Sequence, residues 1–213
     1  MTYNHEPYIR QCLDGFVMQK TNFRFEAIVH DDASTDRTAD IIHEYAEKYP
    51  NIIKPIFETE NQYSKNDGSL NRIMNEHTHG KYIAICEGDD YWIDPYKLQK
   101  QVDFLENNPE YGLVHGEAKV FYQTLNKFRK SPYGSNFSSV DDIIITNKIA
   151  TLTTCFRAIL YFNYIKEIKV QDNWYMGDYP LWLYIAKHSK VYFLPYTIAV
   201  YRYLDNSASH NLN

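Results

Sequence analysis

Along the first hundred residues the apolar positions switch between two periods. Tyr8, Ile9, Cys12, Leu13, Phe16 and Val17 recur at helical spacing, with Asn4 placed to cap and Pro7 suited to a first turn. Residues 25–30 then read as a strand, followed by a helix on Ile41, Ile42, Tyr45, Ala46 and Tyr49 that Pro50 stops and Ser34 or Thr35 can cap. Residues 52–57 form a further strand. A polar loop through Asp67 and Gly68 leads to a short helix carrying Leu70, Ile73 and Met74. Residues 82–86 are a short, apolar strand, and Asp94-Pro95 opens a helix with Leu98, Val102 and Leu105 on one face. Strand and helix thus alternate, which predicts an α/β fold with a mostly parallel sheet flanked by helices.

After Pro109 the rhythm changes. Residues 112–115 and 118–122 read as strands, and Lys127, Arg129 and Lys130 make a basic turn. A solvated hairpin tip is the simpler reading of that turn, with contact to anionic lipid the alternative. A segment at 141–145, a strand at 151–157, a helix at 180–188 and strands at 191–194 and 197–201 complete the pattern. The chain is therefore expected to be one domain over residues 1–213, with halves at 1–108 and 109–213.

Composition narrows the class. With 44% hydrophobic and 23% charged residues the chain is globular, and a net charge of −5 argues against binding a nucleic-acid backbone. Cys12, Cys86 and Cys155 are far apart in apolar surroundings, which fits reduced thiols in a cytoplasmic setting. Neither a signal peptide nor a run long enough to span a bilayer is present.

Chemistry concentrates where strands end. The 82–86 strand runs into Glu87-Gly88-Asp89-Asp90, three carboxylates that repel one another and call for a cation or a polyphosphate–metal complex. Taken alone, this could equally be an acidic, solvated turn. A second strand ends in Asp31-Asp32, and ligands of open α/β sheets bind beyond the carboxyl ends of strands. Two acidic ends in one series make a crevice with carboxylates on both walls.

Four stretches in order, namely Thr2-Tyr-Asn, His30-Asp-Asp-Ala-Ser-Thr-Asp36, Gly80-Lys-Tyr-Ile-Ala-Ile-Cys-Glu-Gly-Asp-Asp-Tyr-Trp92 with Asp94-Pro95, and Met176-Gly-Asp-Tyr179, resemble the family 2 glycosyltransferases. The resemblance implies a GT-A fold and inverting transfer from a nucleotide-diphosphate sugar, UDP-linked by expectation. The acceptor would be a saccharide or lipid-linked saccharide in bacterial surface polysaccharide synthesis. It implies Mn2+ or Mg2+ on Asp89, with Glu87 standing where the family usually has Asp and reaching the metal shell or the ribose. Asp90 would orient the site or cap the turn before Asp94. The resemblance places the nucleobase against Thr2, Tyr3 and Asp32, with Asp31 a lesser contributor, and the diphosphate against Arg72. Asp178 would be the base that takes the acceptor proton, against the plainer reading that it caps the 180–188 helix. Trp174, Tyr175, Tyr179 and Trp182 would wall the acceptor pocket, and His210 would sit in a loop closing over the diphosphate.

The resemblance also carries an apolar strand just ahead of the Thr-Tyr-Asn motif, where this sequence has Met1. Truncation at the amino end, and at the carboxyl end as well, is thus expected, leaving neighbouring strands with unpaired edges and an open core. Peripheral association with the inner face of the membrane is a further expectation. Two other functions stay open: a non-catalytic nucleotide-sugar or carbohydrate-binding module, and a sugar-phosphate nucleotidyltransferase. Against the latter, Tyr3-Asn-His-Glu6 replaces the Gly-rich loop such enzymes carry.

Overall fold

The computed structural model describes residues 1–168 and 177–205. Helix α1 (Ile9–Val17) buries Ile9, Cys12, Leu13 and Phe16, the stripe expected from the sequence. Asn4 does not cap it. Its backbone takes φ 52° and its side-chain oxygen accepts the Thr35 N–H, tying two loops together. Strand β1 (Ala27–Asp31) leads into α2 (Thr38–Lys48), where Asp36, and neither Ser34 nor Thr35, accepts the Thr38 N–H at the helix start. Strand β2 (Ile53–Phe57) then pairs in parallel with β1.

Helix α3 (Ser69–His77), β3 (Tyr82–Ala84), β4 (Tyr91–Trp92) and α4 (Lys97–Asn107) follow. Strand β5 (Tyr111–Tyr122) and β8 (Lys190–Tyr203) form the longest ladder, which is parallel. Each had looked like two strands in the sequence. The apparent breaks are register shifts around Gly116 and Glu117, where Pro195 and Tyr196 bulge out of the facing strand. The short strands β6 (Lys127–Phe128) and β7 (Cys155–Arg157) complete a second sheet of order β3-β7-β5-β8-β4, with β6 on β5. The two long ladders are parallel; the short pairings β3–β7, β5–β7, β4–β8 and β5–β6 are antiparallel.

Helix α5 (Val140–Ile145) is opened by a reciprocal capping pair, Ser139 and Asp142. The stretch read as a strand at 151–157 begins as a 3-10 turn (Thr151–Thr153), and only its last three residues are β7. Helix α6 (Ala158–Glu167) follows β7 directly, and α7 (Tyr179–His188) packs with it over Leu113, Phe156, Trp182 and Ile185. Lys97 is wholly buried, donating to Gln101 Oε1 and the Thr154 carbonyl with its ammonium 4.1 Å from the Trp92 ring centre.

β1 and β3 belong to different sheets. Between them lies a cavity of about 790 Å³ lined by Ala27, Val29, Tyr82, Ile83, Ala84 and Cys86 among others. At its mouth, Met1 and Thr2 bridge the two walls. The Thr2 N–H donates to the His30 carbonyl, the Asp32 N–H donates to the Thr2 carbonyl, and the Gly88 N–H donates to the Met1 carbonyl.

Candidate active site

That bridge brings the two acidic strand ends together. Thr2 is buried, and a Cβ at position 88 would lie 2.7 Å from Thr2 Cβ and 2.8 Å from His5 Nδ1, so the chain passes there only as glycine. Thr2 Oγ1 and His5 Nδ1 are buried without a hydrogen-bond partner. Buried polar atoms are normally paired, so these two are of the kind a bound polar ligand satisfies. Burial holds the His5 imidazole below its usual range; the Asp89, Asp36 and Asp31 carboxylates oppose that, while the Met1 amino group adds to it.

On the β1 side, Asp31 is fastened locally: Ser34 donates to it through both its N–H and its hydroxyl. Asp32 is buried, and its two oxygens accept the N–H groups of Gln62 and Tyr63 at 2.6 and 3.0 Å. It therefore pins the loop after β2. A carboxylate has about four acceptor sites, so two remain. Tyr3 is exposed at the rim. Arg72 stays on the surface of α3 beside Asp67 of the preceding loop, its Nη1 donating to the Asp67 carbonyl.

On the β3 side the three acids have separate surroundings. Glu87 is exposed as a residue, yet its carboxyl is hemmed in by protein. That desolvation, with the Asp178 and Asp89 carboxylates adding to it and the Met1 amino group opposing, raises its carboxyl to about 7. Asp90 is buried and accepts the Arg202 N–H at 2.7 Å; burial first, then Glu87 and Asp89, push its carboxyl well up. Arg202, threaded among the rings of Tyr8, Tyr91 and Phe121, also donates to the Asp89 carbonyl and to Gln11 and Gln123. Asp90 and Arg202 thus brace the loop that carries Glu87 and Asp89.

Asp178 stands at the start of α7, yet its side chain makes no capping hydrogen bond. Its Oδ2 accepts the Thr151 hydroxyl instead. Its charge is felt by Glu87 and by Tyr133, whose phenol burial first and Asp178 second push up to about 12. The structure therefore sets Asp178 within electrostatic reach of Glu87, from the opposite half of the chain. Thr151, Tyr133, His5 and Arg202 were not picked out from the sequence. No local motif marks them; each acquires its place through contacts far along the chain.

The expected aromatic wall is altered. Trp182 is fully buried against Phe156 in the core under α7, because its ring lies on the inward face of that helix. Tyr179 turns its hydroxyl to the carbonyls of Ile143 and Ile144, joining α7 to α5. Trp174, Tyr175 and His210 lie outside the described residues.

Glu87 and Asp89 are hard oxygen donors. Among the described residues, no group of three His, Cys, Asp or Glu side chains could hold a metal by itself. Two carboxylates do fit the mode in which a divalent cation is shared with substrate phosphates.

The sequence profile of Glycosyl transferase family 2 matches residues 1–169. Rv1520, an uncharacterised protein of Mycobacterium tuberculosis, is 37% identical over 204 residues, which cover 95% of this chain and 57% of that protein. TuaG of Bacillus subtilis, named for teichuronic acid biosynthesis, is 27% identical over 213 residues, covering 99% and 79%. Among solved structures, Staphylococcus aureus TarS in complex with UDP-GlcNAc superposes with a TM-score of 0.72 at 17% identity, over 100% of this chain and 59% of that one. The mannosyltransferase PcManGT of Pyrobaculum calidifontis, with GDP-Man and Mn2+, gives a TM-score of 0.66 at 21% identity, covering 97% and 56%. The chain belongs to glycosyltransferase family 2 and has the GT-A fold. It spans a little over half the length of Rv1520. Among the described residues no helix is long and apolar enough to cross a membrane.

Proposed function

We propose that this chain transfers a sugar, with inversion, from a nucleoside-diphosphate sugar to a saccharide or lipid-linked saccharide acceptor of a bacterial surface polymer. The observation that carries the reading is Asp178: it leaves its helix uncapped, is held by Thr151, and acts electrostatically on Glu87 across the crevice. UDP is the favoured nucleotide, because TarS was solved with UDP-GlcNAc. Tyr3 would stack on the base, with Thr2 Oγ1 and the free lone pairs of Asp32 supplying polar contacts beside it.

In this reading the acceptor hydroxyl hydrogen-bonds to Asp178 Oδ1 while Thr151 keeps Oδ2. As the acceptor oxygen bonds to the anomeric carbon from the face opposite the diphosphate, its proton passes to Asp178. The bond from the anomeric carbon to the diphosphate oxygen breaks, and its electron pair stays on the diphosphate. Glu87 and Asp89 would hold Mn2+ or Mg2+, which when bound stabilises charge on the leaving diphosphate. The free thiols of Cys12, Cys86 and Cys155 suit a reducing, cytoplasmic setting.

The test is incubation with a panel of nucleotide sugars, an acceptor extract and Mn2+, following release of the nucleoside diphosphate. Release with one donor, lost in Asp178→Asn and in Asp89→Ala, is expected. Full turnover by Asp178→Asn would overturn the assignment of the base. Donor-stabilised folding without turnover would favour the binding-module reading instead.

A further inference from the structure

The β5–β6 hairpin is a basic stretch in an acidic chain. From Ala118 to Val140 the chain has four basic residues, Lys119, Lys127, Arg129 and Lys130, and no acidic one. The whole chain carries −5, so this stretch of +4 leaves −9 elsewhere. At its tip Tyr122 faces Lys127 and Phe121 faces Phe128 in the antiparallel pair. The turn is closed by the Asn126 N–H on the Gln123 carbonyl, with Asn126 at φ 47°. This defined turn holds Leu125 59% and Phe128 50% exposed among the cations, with Lys119 5.8 Å from the Phe128 ring. One acid does meet the tip: Asp205 accepts the Thr124 hydroxyl.

Apolar side chains interleaved with lysine and arginine match the boundary between headgroups and acyl chains, where the rings and branches enter and the cations meet phosphate. At this tip exposed apolar side chains and cations coincide on one turn. The hairpin also lies close to the chemistry. Tyr133, which follows it and pairs with Ala118 of β5, feels the charges of both Asp178 and Arg129.

We infer that the β5–β6 hairpin docks on an anionic phospholipid surface, setting the Asp178 end of the crevice against lipid-borne acceptors. The orientation of the crevice rests on the function proposed above; the docking itself does not. The test uses the 213-residue chain and vesicles of phosphatidylcholine with or without phosphatidylglycerol, measured by co-sedimentation. Binding to phosphatidylglycerol vesicles alone, weakening as salt rises, is expected. Neutralising the tip (Lys127→Gln, Arg129→Gln, Lys130→Gln) should lower partitioning roughly a hundredfold, at about one factor of five per cation. Leu125→Ser with Phe128→Ser should lower it further while circular dichroism stays unchanged. The proposal is overturned if the chain ignores phosphatidylglycerol vesicles, if the neutralised variant binds them equally well, or if soluble polyphosphate is bound in their place. Sedimentation requires no turnover, so a failed donor assay leaves this result readable.

Discussion

Thr151 donates its hydroxyl hydrogen to Asp178 Oδ2 across 27 positions of sequence, joining the 3-10 turn before β7 to the residue just ahead of α7. A carboxylate free to cap its own helix is thereby turned away from it. If Asp178 is the base, Thr151 is its positioning residue. Thr151→Val keeps the shape of the side chain and removes the donor. It should cut kcat by about tenfold with little change in donor KM, and Thr151→Ser should restore most of the loss. Asp178→Asn should cut kcat by about 10²-fold or more. Equal kcat in Thr151→Val and the parent would show that the contact only packs the turn.

Between β1 and β3, Thr2 meets the end of β1 and Met1 meets Gly88, and behind them the cavity of about 790 Å³ separates the two sheets. Thr2 already bridges Asp31 in parallel and Met1 accepts the Gly88 N–H, so a strand running back from Met1 would run on from these two bonds along the walls. A short Val- and Ile-rich extension placed ahead of Met1 should therefore raise the melting temperature by about 5 °C or more, since covering this apolar surface is worth several kcal/mol. An extension of the same length made of Gly and Ser should not. Equal melting temperatures for the two extended chains would exclude the slot as a strand acceptor.

The alternation of helices and strands was legible because α1, α2 and α4 each bury one clear face, with β1 to β3 as short, largely apolar runs between them. Helix α6 was not, since Ala158–Glu167 is apolar on most sides and shows no stripe. The halves of β5 and β8 seemed separate strands because a bulge interrupts the pattern without ending the ladder. The acids stood out as a class, but their division of labour did not. Asp90 is spent on the Arg202 N–H, a contact spanning 112 positions, and Asp32 on the loop at Gln62 and Tyr63. Spacing along a chain shows which carboxylates share a strand end; it does not show which are already hydrogen-bonded.

Lys97 gives the fold an alkaline signature. Burial lowers its ammonium from 10.5 to about 8, with Cys155, Cys86 and Asp94 opposing. Between those two values the unfolded chain keeps a proton that the folded chain gives up, so stability contributed by this residue rises with pH from about 8 to 10.5. The gain is on the order of 3 kcal/mol at most. Lys97→Met removes it. Urea denaturation at pH 7, 8.5 and 10 should show the parent gaining on Lys97→Met as pH rises, over and above effects that both proteins share. A constant difference between the two would mean that Lys97 keeps its proton through this range.

His115 supplies the opposite limb. It is wholly buried between Phe137 and Phe193, neither ring nitrogen has a hydrogen-bond partner, and burial lowers its imidazole from 6.5 to about 3. Below pH 6.5 the unfolded chain takes up a proton that the folded chain refuses. Stability is therefore lost as pH falls from about 6.5 towards 3, on the order of 5 kcal/mol over the full range. His115→Phe keeps a ring in the stack and removes two unpaired polar atoms. At pH 7 it should be more stable than the parent by about 1 kcal/mol. Its advantage should widen on acidification, read as the difference in urea midpoints at pH 7 and pH 4.5. A difference that stays flat with pH would mean that the buried ring is protonated in the folded chain, and that a partner for it is present after all.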